Sequence, residues 1–427
     1  MATVVRSRWV SDLTPGLPRR DRGGCEYEAY VPDPLAGRSF VLEGAVAADV
    51  ADAERAIQRL DAEAKTLVGT EALARLLLRA EAVASSHIEG LEVGGRRLLR
   101  VEAARAFGAP SEDVTAEEVL GNIEAMTWAV EDLGAAGAVT VPGLLKVHER
   151  LFVGTRLAQQ GGKIRETQNW IGGSDYNPCS AAFIPPPPEQ VRALLEDLCS
   201  FCNTEDLPAV AQAAIAHAQF ETIHPFGDGN GRTGRALIHV VLRRRGLATN
   251  VSPPVSLVLA TWGGDYIGGL ASTRYLGSPD SKAAIEGLNR WVGFFAAACR
   301  RAVDDAMRFE ERIRRIQARW RGSLGRVRRS SAIDLLIGAL PGAPIITVSS
   351  AANLIGRSFE RTNEAVTRLE EAGVLRRITV GRRNRAFEAH DVVDAFSDLE
   401  RRLASPGGDT KTSPLSRAVP YRRRTRR

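Results

Sequence analysis

The twelve residues His224-Pro-Phe-Gly-Asp-Gly-Asn-Gly-Arg-Thr-Gly-Arg235 bring together the parts that phosphate chemistry requires. Gly229, Asn230 and Gly231 permit unusual backbone dihedrals and close approach, so successive N–H groups can form an anion nest at the start of the next helix. Asp228 is a hard oxygen ligand suited to Mg²⁺, which binds through one or two carboxylates plus substrate phosphates. Arg232 and Arg235 carry planar donor forks, and two arginines in a first helical turn oppose the helix dipole unless an anion arrives. His224, with an unperturbed pKa of about 6.5, is suited to take a proton from an attacking hydroxyl. Taken singly, each feature is also what a tight helix-to-helix turn, an interior histidine or a solvated arginine would give. Their convergence within twelve residues favours a site.

The segment resembles, without a departure, the signature of the Fic family, His-Pro-Phe-x-(Asp/Glu)-Gly-Asn-Gly-Arg-x-x-Arg. The resemblance implies a protein adenylyltransferase that moves AMP from ATP onto a hydroxyl of a protein substrate. In it His224 is the base, Asp228 binds Mg²⁺, and Gly229, Asn230, Gly231, Arg232 and Arg235 hold the ATP phosphates, with Phe226 as a packing anchor. A kinase-like branch of the family carries Lys at the position of Gly231, so Gly231 favours attack at the α-phosphate. Tyr266, Leu270, Trp291, Phe294 and Phe295 resemble the family's later helices. Asn169 to Pro185 resembles its flap, which pairs with an extended target segment by strand addition, with Ile171, Gly172 and Gly173 its most flap-like residues.

A second signal is Ser85-Ser-His-Ile-Glu-Gly90. Gly90 reads as a helix stop, but a carboxylate in the last turn opposes the dipole, so Glu89 calls for a cation. In the family, (Ser/Thr)-x-x-x-Glu-(Gly/Asn) marks an inhibitory helix, which assigns Ser85, Glu89 and Gly90 to a built-in brake and pairs Glu89 with Arg235. Two rival readings stay open: Glu89 orienting water for removal of AMP, and a DNA-binding regulator whose nucleotide site only senses.

The elements that must position these groups are helical over the first 300 residues: the apolar spacing predicts helices over Ala48–Leu67, Glu71–Ser86, Ala116–Leu133, Pro142–Leu151, Glu189–Phe201, Ala209–Thr222 and Arg232–Arg245. β-Formers around Gly-Gly-Ser-Asp-Tyr-Asn-Pro predict a hairpin between Asn169 and Pro185. Arg300–Arg321 reads as a long joining helix. Ala332–Leu340, Ser349–Ile355 and Glu360–Ala372, then strands Leu375–Val380 and Asn384–Ala389, read as a winged helix-turn-helix. The expected fold is therefore mainly α: a helical bundle with a hairpin flap, then the winged helix. The expected division is 1–110 as N-terminal segment, 111–300 as catalytic core, 301–327 as linker, 328–403 as winged helix and 404–427 as a disordered basic tail.

Composition bounds the partners. Hydrophobic residues make up 44% and charged residues 25%, as in ordinary soluble proteins. From Arg376 onward 14 basic residues face 6 acidic ones, a balance of +8, against −2 for everything before. A general polyanion-binding role is thereby excluded. The candidate recognition helix mixes Arg361, Asn363, Thr367 and Arg368 with Glu360, Glu364, Glu370 and Glu371, whereas Arg382, Arg383 and Arg385 in the wing are basic. DNA binding and homodimerisation both remain open for this module. No apolar run reaches bilayer length and the first ten residues lack a signal-peptide stretch, so the expectation is a cytoplasmic protein with no membrane partner. Five scattered cysteines (Cys25, Cys179, Cys199, Cys202 and Cys299) read as free thiols in a reducing compartment.

Overall fold

The computed structural model describes residues 1–10, 21–65, 70–106, 108, 113–380 and 384–403. Two antiparallel strands open the chain, β1 (Thr3–Trp9) and β2 (Cys25–Val31), with Thr3 opposite Val31 and Trp9 opposite Cys25. Helices follow: α1 (Gly44–Lys65), α2 (Thr70–Ile88), α3 (Gly95–Ala106), α4 (Val114–Trp128) running into a π-helical turn at Ala129–Leu133, and α5 (Val141–Leu151). Next come α6 (Pro188–Cys202), α7 (Ala209–Ile223), α8 (Asn230–Arg244), α9 (Val255–Thr261), α10 (Gly263–Ser272) and the 43-residue α11 (Lys282–Leu324). The C-terminal part is α12 (Ala332–Ala339), β3 (Ile345–Ile346), α13 (Val348–Ile355), α14 (Phe359–Glu371), β4 (Arg376–Val380), β5 (Asn384–Glu388) and α15 (His390–Leu403).

Two compact units emerge: Met1–Gln58 with Gly121–Thr249 and Gly264–Arg300, and Arg59–Leu120 with Asn250–Gly263 and Arg301–Arg427. In the first, α7 is the central helix and every residue of it is buried. Its sequence AVAQAAIAHAQFETI explains this, because alanines on several sides let neighbours approach closely. Gly234 of α8 faces it so tightly that a Cβ there would lie 2.9 Å from the Phe220 ring. Trp291 is fully buried and donates its indole N–H to the Ala214 carbonyl at 2.7 Å. Thr140 caps α5 by accepting from the Gly143 N–H at 3.2 Å, with Pro142 in the first turn.

In the second unit α2 packs against α9, where the fully buried Glu81 carboxylate accepts from the Ser256 hydroxyl and N–H at 2.5 and 2.7 Å. The α12-β3-α13-α14-β4-β5 order, with sheet order β3-β5-β4, is compatible with the expected winged helix. Ser331, Thr347 and Ser358 cap its three helices. It is packed on the N-terminal helices of its own unit: Arg96 of α3 reaches Glu388 at 2.5 Å and Asp394 at 2.7 Å, and Gly342 lies against Ala72 of α2. The charged stretch Arg300–Arg321 is the second half of α11, laced with i,i+4 pairs such as Arg301–Asp305 and Arg314–Glu310.

Two expectations change. The hairpin between Asn169 and Pro185 reduces to one antiparallel bridge, Ile171 with Phe183, because Gly172 and Gly173 take φ of 74° and 78° and a 3₁₀ turn at Pro178–Ser180 interrupts the return. The expectation of five free thiols is overturned at one pair: Cys25 and Cys179 form a disulfide. Cys25 lies directly across the β1–β2 ladder from Trp9, Trp9 packs edge-on against Trp170 at 5.4 Å, and Asn177 donates to the Asp21 carbonyl at 2.9 Å. These contacts hold Cys179 over the strand end across 154 residues of sequence. Cys199, Cys202 and Cys299 are buried free thiols. Burial pushes the Cys199 thiol up to about 12 and that of Cys202 upward as well, which makes both unreactive packing groups.

Candidate active site

His224 ends α7 in the left-handed region, at φ 49°, with its N–H on the Phe220 carbonyl at 2.9 Å. A non-glycine residue rarely adopts this conformation, and it persists where surrounding contacts over-determine it. Two side chains do so here. Arg165 donates to the His224 carbonyl at 2.9 Å, to Thr167 at 3.1 Å and to Pro186 at 2.5 Å, and its backbone N–H reaches the Pro225 carbonyl. Asn169 adds bonds to the carbonyls of His224 and Phe226 at 3.2 and 3.0 Å. Burial lowers the Arg165 guanidinium to about 10, with Glu189 opposing, so it stays charged near neutrality.

Phe226 is fully buried and stacks on His148 of α5, centroids 3.7 Å apart and planes 5° apart. The His148 Nδ1 accepts from the Gly162 N–H at 3.0 Å, so its proton is on Nε2, which donates to the Asp228 carbonyl at 2.9 Å. Burial pushes this imidazole down to about 4, reinforced by the Arg232 charge. His148, Arg165 and Asn169 thus shape the loop. The sequence reading missed all three because they lie 55 to 80 residues away along the chain.

Asn230 is buried and spends both side-chain amide atoms on the Phe226 backbone, accepting and donating at 2.8 Å. What it offers a ligand is its backbone N–H at the start of α8. Gly229, at φ 76°, precedes that helix and gives it no side-chain cap, and no acidic residue occupies the first turn. The first N–H groups of α8 therefore lack the usual side-chain acceptor. A Cβ on Gly229 would lie 2.7 Å from the Leu151 side chain and 3.1 Å from the Phe152 ring, so only glycine fits.

Arg232 is 4% exposed, and its guanidinium sits 5.4 Å over the Phe152 ring. One Nη donates weakly to Asp228 at 3.3 Å, while Nε and the other Nη are buried without a hydrogen-bond partner. Buried donors left open are costly, and an anion would satisfy them. Arg235 is 1% exposed. The Asp228 carboxylate is 52% exposed at the mouth of the loop. Among the described residues no group of three His, Cys, Asp or Glu is placed to hold a metal, so a cation on Asp228 would need further oxygens from its ligand.

Of the remaining candidates, Ile171 forms the bridge, and Gly173 sits where a Cβ would meet the Ser180 carbonyl at 2.4 Å. Ser85 is fully buried in the last turns of α2. Glu89 follows that helix and is exposed, and Gly90 closes it at φ 82° as the Leu91 N–H returns to the Ser86 carbonyl at 3.0 Å. Arg382 and Arg383 lie outside the described residues, as does the basic tail 404–427, and the side chain of Arg385 is likewise undescribed.

Residues 138–242 match the model of the Fic/DOC family and residues 47–131 that of the Fic/DOC family N-terminal region. The protein adenylyltransferase fic-1 of Caenorhabditis briggsae is 35% identical over 126 residues, 29% of this chain and 22% of that one. The protein adenylyltransferase Fic of Culex quinquefasciatus is 32% identical over 214 residues, 47% of this chain and 40% of that one. The match spans well under half the length of either relative. A crystal structure of a Fic family protein from Desulfovibrio desulfuricans shares the fold, with a TM-score of 0.50 at 22% identity over 82% of this chain and 97% of that one. The loop from His224 to Arg235 falls inside the first matched region and the turn from Ser85 to Gly90 inside the second, so this chain carries regions similar to the Fic/DOC family domain and to its N-terminal region.

Proposed function

We propose that this protein transfers AMP from ATP to a hydroxyl side chain of a protein substrate. The observation that carries the reading is the buried Arg232, with donors lacking partners, in the first turn of α8, which has no side-chain cap and follows the loop that His224 opens at a positive φ. A triphosphate supplies the missing acceptors: Gly229 admits it sterically, the backbone N–H groups of Asn230 and Gly231 and the side chains of Arg232 and Arg235 hold it, and His224 accepts the target hydroxyl's proton. The exposed Asp228 carboxylate fits Mg²⁺ bound jointly with phosphate oxygens, which would neutralise the charge of the pyrophosphate leaving group. The relatives named protein adenylyltransferases support this reading.

Within the same proposal Ile171, Gly172 and Gly173 register an extended target segment, and Ser85, Glu89 and Gly90 form a brake in which Glu89 withholds Arg235 from ATP. The outward face of α14 carries exposed Arg361 and Arg368 beside exposed Glu360 and Glu364, which suits a protein surface, including a second copy of this chain, as well as it suits DNA. A cytoplasmic location draws support from three buried free cysteines, and the Cys25–Cys179 pair opposes it.

Incubation with α-labelled and γ-labelled ATP in Mg²⁺ tests the reading. Covalent label from the α position alone is expected, with Asp228→Ala losing the Mg²⁺ dependence of nucleotide binding. Label from the γ position would mean phosphoryl transfer, and nucleotide binding without label would favour a sensor.

A further inference from the structure

We infer that Glu221, one turn before His224 on α7, is the positioning residue that fixes the histidine's tautomer and stabilises its protonated form. The inference rests on the transfer reading above for its consequence, and on geometry for its existence. Glu221 is 8% exposed, and its Oε2 lies 3.9 Å from His224 Nδ1. An ionised carboxylate only accepts hydrogen bonds, so the ring state that closes this gap carries its proton on Nδ1 and leaves the Nε2 lone pair for the substrate. Such bonds are commonly long before ligand arrives and tighten in the productive complex.

The surroundings are built for that carboxylate. Gly234 on α8 makes room for it, since a Cβ there would lie 2.6 Å from Glu221 Oε1. Arg274, after α10, is its charge partner: burial pushes that guanidinium down to about 10 while Glu221 holds it up. Arg274 also stacks 3.5 Å over the ring of Phe183, the residue bridged to Ile171. The backbone of His224 is held by Arg165 and Asn169, and Glu221 places a carboxylate oxygen on the Nδ1 side of the ring.

The charged groups on elements packed around His224 are Glu221, Arg165, Asp228, Arg232, Arg235 and Arg274. His217, one turn further back on α7, is pushed down to about 3 by burial and by Arg235 and stays neutral. During transfer the hydroxyl oxygen bonds to the α-phosphorus, the bond from that phosphorus to the bridging oxygen breaks, and pyrophosphate leaves. The hydroxyl proton goes to His224 Nε2, and the imidazolium so formed faces Glu221 through its Nδ1–H.

Nitrogen NMR of the full chain labelled at histidine, with His224→Ala used only to assign the signal, tests this without requiring transfer. The parent should hold its proton on Nδ1 near pH 8. Glu221→Gln should lower the His224 midpoint by about one pH unit and mix the tautomers, with transfer per turnover falling roughly tenfold at unchanged KM for ATP. Glu221→Asp should keep most of the midpoint, and the parent's own tautomer decides the question if the Gln variant does not fold. A parent proton on Nε2, or a midpoint and tautomer unmoved by Glu221→Gln, overturns the inference. The expected NMR result in a chain that transfers no AMP upholds the positioning and removes only the transfer reading.

Discussion

Gly229 and His148 show what single residues do for this loop. Any side chain at Gly229 must enter the left-handed region and also displace Leu151 or Phe152. Gly229→Ala should therefore cost about 1–3 kcal/mol of stability and weaken ATP binding, and chemical denaturation with nucleotide titration would measure both. His148 gives a pH dependence. Its folded value, about 4, lies below the ordinary 6.5, so between those values the unfolded chain takes up a proton that the folded chain refuses. Stability is then fully present above about pH 6.5 and declines as pH falls toward 4, by on the order of 3 kcal/mol from this residue. Unfolding curves across this window should be shallower in pH for His148→Gln by about one proton, with His217 contributing to the slope that remains. An unchanged slope would show that His148 is not held neutral.

Helices were legible where one face is apolar and the ends are marked: Pro142–Leu151 is found at Val141–Leu151, and Ala209–Thr222 at Ala209–Ile223. The three helices α12, α13 and α14 were legible for the same reason, their caps standing at Ser331, Thr347 and Ser358. The candidate loop joining α7 to α8 could be read from the sequence because its residues are contiguous. What was not legible depends on distant partners. The pairing of β1 with β2, the single bridge at Ile171 and the seating of Arg165 under His224 are fixed by tertiary contacts that leave no local pattern. The disulfide is the sharpest case, since Cys25 and Cys179 have no framework spacing and meet only through the strand end and the 3₁₀ turn. Alkylation of the denatured but unreduced protein should modify three cysteines, and five after reduction, as read by intact mass. Five modified without reduction would refute the pairing.

For the whole molecule, the C-terminal elements α12 to α15 and the helix bearing Ser85 belong to one compact unit, while the loop from His224 to Arg235 belongs to the other. Within its unit α2 is gripped along its length, by Ser256 at Glu81 and by Gly342 at Ala72, so the turn carrying Glu89 is presented by a supported helix and not by a free loop. This suits the proposed brake, which acts only if its carboxylate is held in one place. It also makes one experiment decisive for the account, because releasing the brake and removing the base make opposite demands on the same reaction. Labelling with α-labelled ATP and Mg²⁺ should be compared in the parent, Glu89→Gly and Glu89→Gly with His224→Ala. The account predicts at least about fivefold more label in Glu89→Gly than in the parent, and a loss of about a hundredfold or more when His224→Ala is added, with ATP still bound. Label in the double variant equal to that of Glu89→Gly would contradict the role of His224, and no label in any of the three would contradict AMP transfer itself.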